Sequence, residues 1–153
     1  MGQSFDVVGN RTELRASGSG TLDFRNIYSY DKLNRLLEVV QANQVGGNQV
    51  LPKRVSFTCN SLGQRTRIAR FQSTGTANPV ATTDFTYDFA NRLSGIAHKQ
   101  GTTNLNTYSY TYDPLSRLTS VNSTLEGLSS YTYWQNDQLV GVTNPGVLLL
   151  IAL

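Results

Sequence analysis

The chain has 153 residues, of which 39% are hydrophobic, 13 are Lys or Arg and 10 are Asp or Glu. This length can bury the core of one domain, and the net charge of +3 comes without a basic run, which argues against a nucleic-acid-binding segment. Eight tyrosines, six phenylalanines and 13 glycines, beside many Thr, Ser and Asn residues, are typical of β-structure.

One hairpin pattern recurs six times along the chain. Each copy is aligned on one turn residue, its anchor, and the anchors are Asp6, Asp31, Asn60, Asp88, Asp113 and Trp134. Aromatic residues stand one and three positions before most anchors, and they share one face because strand side chains alternate. The aromatic pairs that define this face are Tyr28 and Tyr30, Phe85 and Tyr87, Tyr110 and Tyr112, and Tyr131 and Tyr133.

The residues after each anchor predict a tight turn and a returning strand. Three positions after the anchor come residue types that mostly tolerate left-handed backbone, which predicts a type I turn closed by a bulge. Arg follows at the fourth position and Leu at the fifth in copies two, four and five, and the eighth position is apolar in every copy. The eighth-position residues are Leu14, Val39, Ile68, Ile96, Val121 and Val142.

The stretches outside the hairpins are polar and variable in length. Residues 16–21 after copy one are predicted to be a flexible link, and the second half of copy two could form a helix, but the repeat register favours a strand. Residues 1–143 are predicted to be one repeat array, and 144–153 an apolar tail that fits no column. Further connections are predicted at 42–52, 72–83, 98–107 and 122–129.

No catalytic, cofactor or metal site is predicted. A general acid and a general base need unlike environments, whereas a repeat makes its carboxylates alike, so the aspartates are interpreted as acceptors for turn N–H groups. Arg35, Arg92 and Arg117 are each expected to pair with their own Asp or to stack on a neighbouring Tyr. His98 is interpreted as a loop residue and Cys59 as a small buried apolar residue.

The chain shows no targeting segment by sequence. The first residues lack a basic region and an apolar region, so no signal peptide is predicted. The apolar run 147–153 is far shorter than the roughly 20 residues that a membrane-spanning helix needs, so no membrane span is predicted.

These columns resemble the YD repeats of the RHS family, whose pattern is Tyr-x-Tyr-Asp-x-x-Gly-Arg-Leu followed by a Thr- or Ser-rich strand. Residues 110–121 match it best, 28–39 and 85–96 follow, and the resemblance covers nearly the whole chain. It implies an all-β fold of stacked antiparallel hairpins that form an extended, curved sheet, a partial β-shell. Bacterial RHS proteins, Tc-toxin components and teneurins build such shells, and in bacterial members the shell encloses a C-terminal toxin.

The resemblance further implies a non-catalytic structural segment of a secreted or cell-surface protein. Its expected partners are further YD repeats of the same or another chain, or an encapsulated effector domain. The alternative is a module that binds cell-surface carbohydrate through exposed tyrosine rows. The residues assigned to the structural repeat motif are Tyr28, Tyr30, Asp31, Arg35, Leu36, Phe85, Tyr87, Asp88, Arg92, Leu93, Tyr110, Tyr112, Asp113, Arg117, Leu118, Tyr131 and Tyr133.

Two copies depart from the family pattern. Copy three has Cys59 and Asn60 in place of Tyr and Asp, and copy six has Trp134 as its anchor. No glycine-rich Asp-Pro motif of the kind that ends a bacterial RHS shell follows Asn144. Six hairpins are too few to close a cavity, so the chain is interpreted as a fragment of a longer repeat protein or as a stand-alone remnant whose repeat pattern ends near Thr143.

Overall fold

A computed structural model describes residues 1–75, 78–145 and 147–150, and these ranges contain strands and no helix. The strands are β1 (Gly2–Phe5), β2 (Arg11–Gly18), β3 (Thr21–Tyr30), β4 (Leu36–Asn43), β5 (Lys53–Cys59), β6 (Arg65–Phe71), β7 (Ala81–Tyr87), β8 (Leu93–Gln100), β9 (Thr103–Tyr112), β10 (Leu118–Ser123), β11 (Gly127–Tyr133), β12 (Leu139–Asn144) and β13 (Val147–Leu150). Within β1 to β6 and within β8 to β13, each strand pairs with the next one in the chain.

The chain forms two compact units, residues 1–83 and 84–153. The first unit contains β1 to β6 in chain order, the second contains β8 to β13 in chain order, and the boundary falls within β7. The predicted all-β fold of stacked antiparallel hairpins is confirmed in both units. The segment of copy two with helical propensity is the strand β4, as the register predicted.

The predicted apolar columns face each other across the hairpins. The residue three positions before the anchor is the direct partner of the residue eight positions after it, as in Tyr28 with Val39 and Tyr110 with Val121. The same pairing joins Phe57 to Ile68. Opposed aromatic and β-branched side chains contribute roughly 0.2 to 1 kcal/mol per pair, so this column stabilises each hairpin.

Beyond the bulge predicted to close the turn, the returning strand contains a second bulge that was not visible in the sequence. In five hairpins the register shifts by one residue, which leaves the sixth position after the anchor without an opposite partner. In the fifth copy, for example, Leu118 pairs with Tyr112 and Ser120 with Thr111. A bulge raises the local twist and changes the direction of the chain beside the turn.

The turns have the predicted conformation. The residue three positions after every anchor has a positive φ, from 59° at Asn34 to 89° at Gly9. In each turn this residue donates its N–H to the carbonyl of the anchor. The anchor in turn donates its N–H to the carbonyl of the residue four positions after it. Type I turns closed by a left-handed residue are therefore present in all six copies.

Several stretches predicted as loops are strand ends. The presumed flexible link at 16–21 contains the end of β2, the start of β3 and a tight turn in which Ser19 and Gly20 both have positive φ. His98 lies in β8, not in a loop, and its ring packs edge-on against Tyr108 with a centroid distance of 6.1 Å. These strands were not predicted because their residues are polar and show no alternation of apolar side chains. Their pairing rests on backbone bonds to the neighbouring strands.

The strand β13 continues the repeat register. Val142 pairs with Leu149 in the way that Val121 pairs with Ser129 one hairpin earlier. It therefore occupies the place that the first strand of a further hairpin would take. Of the predicted tail, residues 146 and 151–153 lie outside the described part of the chain, as do residues 76 and 77 of the predicted connection 72–83.

In the described part of either unit there is no conventional hydrophobic core. Among the described residues, the buried apolar side chains are those of Ala16 and Ala69. Many large side chains are half-buried, and the exposed apolar ones lie both at the turns and within strands, as at Ile27, Leu105 and Leu128. In the same part of the chain, no helix is long and apolar enough to cross a membrane.

The turn conformation predicts a difference between two glycines of the first unit. Gly63 has a φ of +82°, and a Cβ there would lie 3.7 Å from Arg35 Nη1, an ordinary contact. Gly63→Ala should therefore lower the free energy of unfolding by about 1–2 kcal/mol through backbone strain alone. Urea titration of dilute protein measures this loss.

The control is Gly18→Ala, where an added Cβ has open space and φ is not positive. It should leave the free energy of unfolding nearly unchanged. Equal losses in the two variants would contradict the turn assignment.

Candidate functional site

The residues of the predicted motif converge at the turn end of the hairpins. We call the turn row the set formed by each anchor, the tyrosine before it and the residue four positions after it. Its complete copies are Tyr30, Asp31 and Arg35 in the first unit, and Tyr87, Asp88 and Arg92 together with Tyr112, Asp113 and Arg117 in the second.

Each anchor carboxylate holds its own turn closed. Asp113 Oδ1 accepts the backbone N–H groups of Leu115 and Arg117 at 2.9 Å, and its Oδ2 accepts Arg117 Nε at 2.7 Å. Asp31 and Asp88 make the same contacts with their own arginines, at 2.6 and 2.7 Å. Copy three has a neutral version, in which Asn60 Nδ2 donates to Gln64 Oε1 at 2.7 Å.

The arginine of one turn also reaches the next turn. Arg117 Nη1 donates to the carbonyl of Trp134 at 3.0 Å and to Asp137 Oδ1 at 2.9 Å. Its guanidinium carbon lies 4.9 Å from the ring centroid of Tyr133. Arg92 makes the corresponding contacts with the carbonyl of Asp113 and the ring of Tyr112.

A tyrosine of each later hairpin reaches back to the earlier one. Tyr112 donates its hydroxyl to the carbonyl of Leu93 at 2.8 Å, and Tyr133 donates to the carbonyl of Leu118 at 2.9 Å. In the first unit, Tyr30 donates to the carbonyl of Arg11 at 3.0 Å. These carbonyls belong to the fifth residue after the preceding anchor, so the bond has the same place in each copy.

In the second unit the turn row therefore links successive hairpins in both directions. The arginine of one turn donates to a carbonyl of the next turn. The tyrosine of that next hairpin donates to the carbonyl of the residue that follows the arginine. A single net hydrogen bond contributes about 0.5–1.5 kcal/mol, and bonds of charged groups contribute more. Their repetition adds several such contributions to the link between neighbouring hairpins.

The bonds of the turn row lower the pKa values of its aspartates. The backbone N–H of Arg35 and then its guanidinium hold the pKa of Asp31 below the ordinary value, and Arg92 lowers the pKa of Asp88 in the same way. Partial burial acts to raise the pKa of Asp113, but the backbone and guanidinium bonds of Arg117 outweigh it. These carboxylates are therefore ionised and act as hydrogen-bond acceptors.

Other residues of the predicted motif lie away from the turns. Tyr28, Phe85, Tyr110 and Tyr131 stand deeper on the aromatic face, and burial raises the pKa of Tyr110. The leucines of the motif take part partly through their backbone, since Leu93 and Leu118 supply the carbonyls that accept tyrosine hydroxyls. Cys59 takes the tyrosine place in copy three and is half-buried.

The sequence did not predict which side chains accept hydrogen bonds from the preceding hairpin. Ser116 Oγ and Asp137 Oδ1 accept Arg92 and Arg117, and Asn34 Oδ1 accepts the side chain of Asn10. All three stand at the left-handed position of a turn, which was interpreted only through its backbone. These positions carry a polar residue and not glycine although φ is positive. This departure from glycine was the sequence feature that could have indicated a role for the side chain.

Copy six lacks the carboxylate clamp. Trp134 stands at the anchor and is 53% exposed, and Asn136 Oδ1 accepts the Gln138 N–H at 3.3 Å in place of the shorter aspartate bonds. Tyr133, Trp134, Gln135 and Asn136 line a shallow cavity of about 460 Å³. This turn is therefore held less firmly than the others.

Comparison with known proteins gives a likeness of fold. No protein-family model and no curated protein matches the chain. Among solved structures, the chain is similar to a crystal structure of TcdB2-TccC3-Cdc42 and to a structure of the Photorhabdus luminescens Tc holotoxin pore. Each has a TM-score of 0.69 at 21% identity and is matched over 93% of this chain and 7% of the other.

A third structure agrees with these two. The crystal structure of TcdB2-TccC3 without the hypervariable C-terminal region has a TM-score of 0.68 at 20% identity, with 93% of this chain and 7% of that chain covered. The predicted resemblance, which named Tc-toxin components, is confirmed at the level of the fold. The chain spans 7% of the length of these chains.

The turn row predicts that arginine cannot be replaced by lysine. Arg117 uses Nε for its own turn and Nη1 for the next one, and its planar group stacks on Tyr133. A lysine ammonium cannot make these contacts together. Arg117→Lys should lower the free energy of unfolding by about 1–3 kcal/mol, measured by urea titration.

Arg15→Lys is the control for this substitution. Arg15 is 60% exposed and pairs with Glu13 at 2.9 Å. Exposed ion pairs contribute about 0–1 kcal/mol, so this variant should change stability little. If Arg117→Lys cost no more than Arg15→Lys, the forward contacts would be energetically unimportant.

The lowered pKa values predict a loss of stability in acid. A carboxyl whose folded-state pKa is depressed contributes stability above its unfolded value, about 3.9, and loses it as pH falls through the folded value. The combined variant Asp31→Asn, Asp88→Asn and Asp113→Asn should be less stable at neutral pH. Its stability should also fall less steeply than the wild type's below about pH 4.

Urea midpoints recorded as the pH is lowered test this expectation. Asp23→Asn, which changes a carboxylate outside the turns, should keep the wild-type slope. Parallel acid profiles for the wild type and the triple variant would rule out the turn aspartates as the source of the acid dependence.

Proposed function

We propose that the chain is a non-catalytic structural segment of an RHS-type β-shell. In this function it packs against further repeats and helps to enclose or present a toxin or effector domain. The observation that carries the proposal is the turn row, which in the second unit ties copy four to copy five and copy five to copy six through bonds in both directions. A motif whose contacts point to the adjacent copies suits an array more than a self-contained binding domain.

The absence of a core supports the same function. Among the described residues, Ala16 and Ala69 are the buried apolar side chains, so each unit gains stability from lateral pairing. Extended apolar exposure marks surfaces that need partners. The exposed apolar residues at or beside the hairpin turns are Val7, Val8, Leu33, Leu62, Phe89 and Leu115.

The contacts of the turn carboxylates favour a scaffold over an enzyme. Asp31, Asp88 and Asp113 each bind their own arginine, and their surroundings repeat from copy to copy. Acid–base catalysis needs two groups whose surroundings hold their pKa values apart. The proposed role of these residues is to keep the turns closed and connected.

The fold likeness supports the wider setting of the proposal. Tc-toxin chains contain a region of the same fold, which supports the proposal that the chain belongs to a secreted or surface-displayed toxin component. Its partners would be further YD repeats of the same or another chain, or an effector domain.

The carbohydrate-binding alternative uses the tyrosine rows in another way. Tyr110 and Tyr112 are half-buried, and the hydroxyl of Tyr112 already donates to Leu93. Glycan-array binding that disappears on Tyr110→Ala and Tyr112→Ala would favour carbohydrate binding and displace the structural proposal. We expect no such binding.

The proposal predicts self-association of the isolated chain. The edge strand β1 is exposed along its length, and Phe5 is 59% exposed. Exposed edges pair with other chains, and a charge placed on them reduces this pairing. Light scattering across protein concentrations should show association of the wild type that Phe5→Lys weakens.

Phe89→Lys is the matched control, because Phe89 is fully exposed but lies at a turn. It should leave edge pairing unchanged. A soluble wild-type monomer at all concentrations, with one cooperative unfolding transition, would contradict the need for partner repeats.

A further inference from the structure

Two arginines of the first unit stand directly opposite each other. Arg15 on β2 and Arg25 on β3 are cross-strand partners, outside the turn row and near the other end of the hairpin. Like charges in directly opposite positions destabilise a sheet. Such an arrangement persists only where negative charge is supplied.

One carboxylate serves both guanidinium groups. Glu13 Oε2 lies 2.9 Å from Arg15 Nη2, and Glu13 Oε1 lies 3.8 Å from Arg25 Nη1. In the described ranges neither arginine pairs with a second carboxylate, and Asp23 makes no ion pair with Arg25. Two positive groups and one negative group leave this cluster with an excess of one positive charge.

The hydrogen bonds of Arg25 are also incomplete. Its Nε is buried without a hydrogen-bond partner, while 43% of the side chain remains exposed. An unpaired donor on a charged group is costly. The side chains of Arg15 and Arg25 are 60% and 43% exposed, so an acceptor from outside the chain can approach both.

The two arginines line a preformed cavity. It has a volume of about 240 Å³, and Leu22, Gln44 and Val45 complete its walls. Gln44 is buried and donates its amide to the carbonyls of Ala16 and Phe24, at 2.5 and 3.0 Å. These bonds fix one wall of the cavity before any ligand enters.

The loop that follows Gln44 is fixed against β3. Asn48 donates its N–H to the carbonyl of Leu22 at 2.9 Å. A Cβ on Gly47 would lie 2.7 Å from the same carbonyl, so glycine permits this close approach. The walls formed by Leu22 and Val45 are thus held by contacts other than those of the arginines.

We propose that Arg15 and Arg25 form a binding site for an oxyanion. Guanidinium groups present paired N–H donors that match the oxygens of carboxylates and phosphates. A bound oxyanion would neutralise the excess charge and relieve the repulsion across the strands. The same chemistry is offered by free phosphate and by an acidic side chain of a partner chain.

Calorimetric titration of the 153-residue chain tests the site. Sodium phosphate and a short acetylated tri-glutamate peptide are titrated separately, at constant ionic strength. Saturable binding of either probe is expected. The tighter probe identifies the source, since phosphate indicates a free ion and the peptide indicates an acidic partner segment.

Three variants make the test specific. Arg25→Gln should weaken binding by about tenfold or more, and Glu13→Gln should tighten it because the competing carboxylate is gone. Arg67→Gln, which changes an exposed arginine of β6 away from the cavity, should bind as the wild type does.

Equal affinities of the wild type and Arg25→Gln, or no saturable binding of either probe, would overturn the proposal. If Arg25→Gln does not fold, Glu13→Gln decides, and an affinity no tighter than the wild type's would then be the contradicting result.

Discussion

The bond between an anchor aspartate and the arginine four residues later is the interaction on which the other contacts of the turn row depend. The carboxylate closes the turn through two backbone N–H groups and at the same time fixes Nε of the arginine. With Nε held, Nη1 points to the next turn and the guanidinium plane lies over the next tyrosine. The aspartate that closes one turn thereby also positions a contact with the next hairpin. The same arginine makes the bond to its own turn and the bond to the next turn.

This link matters because each unit lacks a core that could do the same work. In a globular domain, buried side chains from distant segments hold the elements together. Here the described strands pair with their neighbours in the chain, and the stabilising contacts join adjacent hairpins. The stability of such an array is a sum of local terms and neighbour terms, so a break at one turn weakens the next. Copies with Asn60 or Trp134 at the anchor keep the turn with fewer charged bonds.

The sequence predicted the features that repeat within one hairpin. Alternating tyrosines gave the aromatic face, and Asn34 and Gly63 marked the left-handed turn positions. It predicted that Arg117 pairs with its own aspartate or stacks on a neighbouring tyrosine, and Arg117 does both. It did not reveal the bond from Arg117 to the carbonyl of Trp134, because the offset between copies is set by pairing. The second bulge after the turn was not predicted for a related reason. A shift of the pairing register by one residue is visible only when the partner strand is known. The opposed pair Arg15 and Arg25 likewise appears only in the register.

Hydrogen exchange in Tyr112→Phe tests most directly whether the turn row couples neighbouring hairpins. This variant keeps the ring and removes the hydroxyl that donates to the Leu93 carbonyl. Faster exchange is predicted both in its own hairpin, residues 110–121, and in the preceding one, residues 85–96. Tyr131→Phe is the control, because Tyr131 makes no side-chain hydrogen bond in the described part of the chain. Faster exchange confined to residues 110–121 would contradict the coupling.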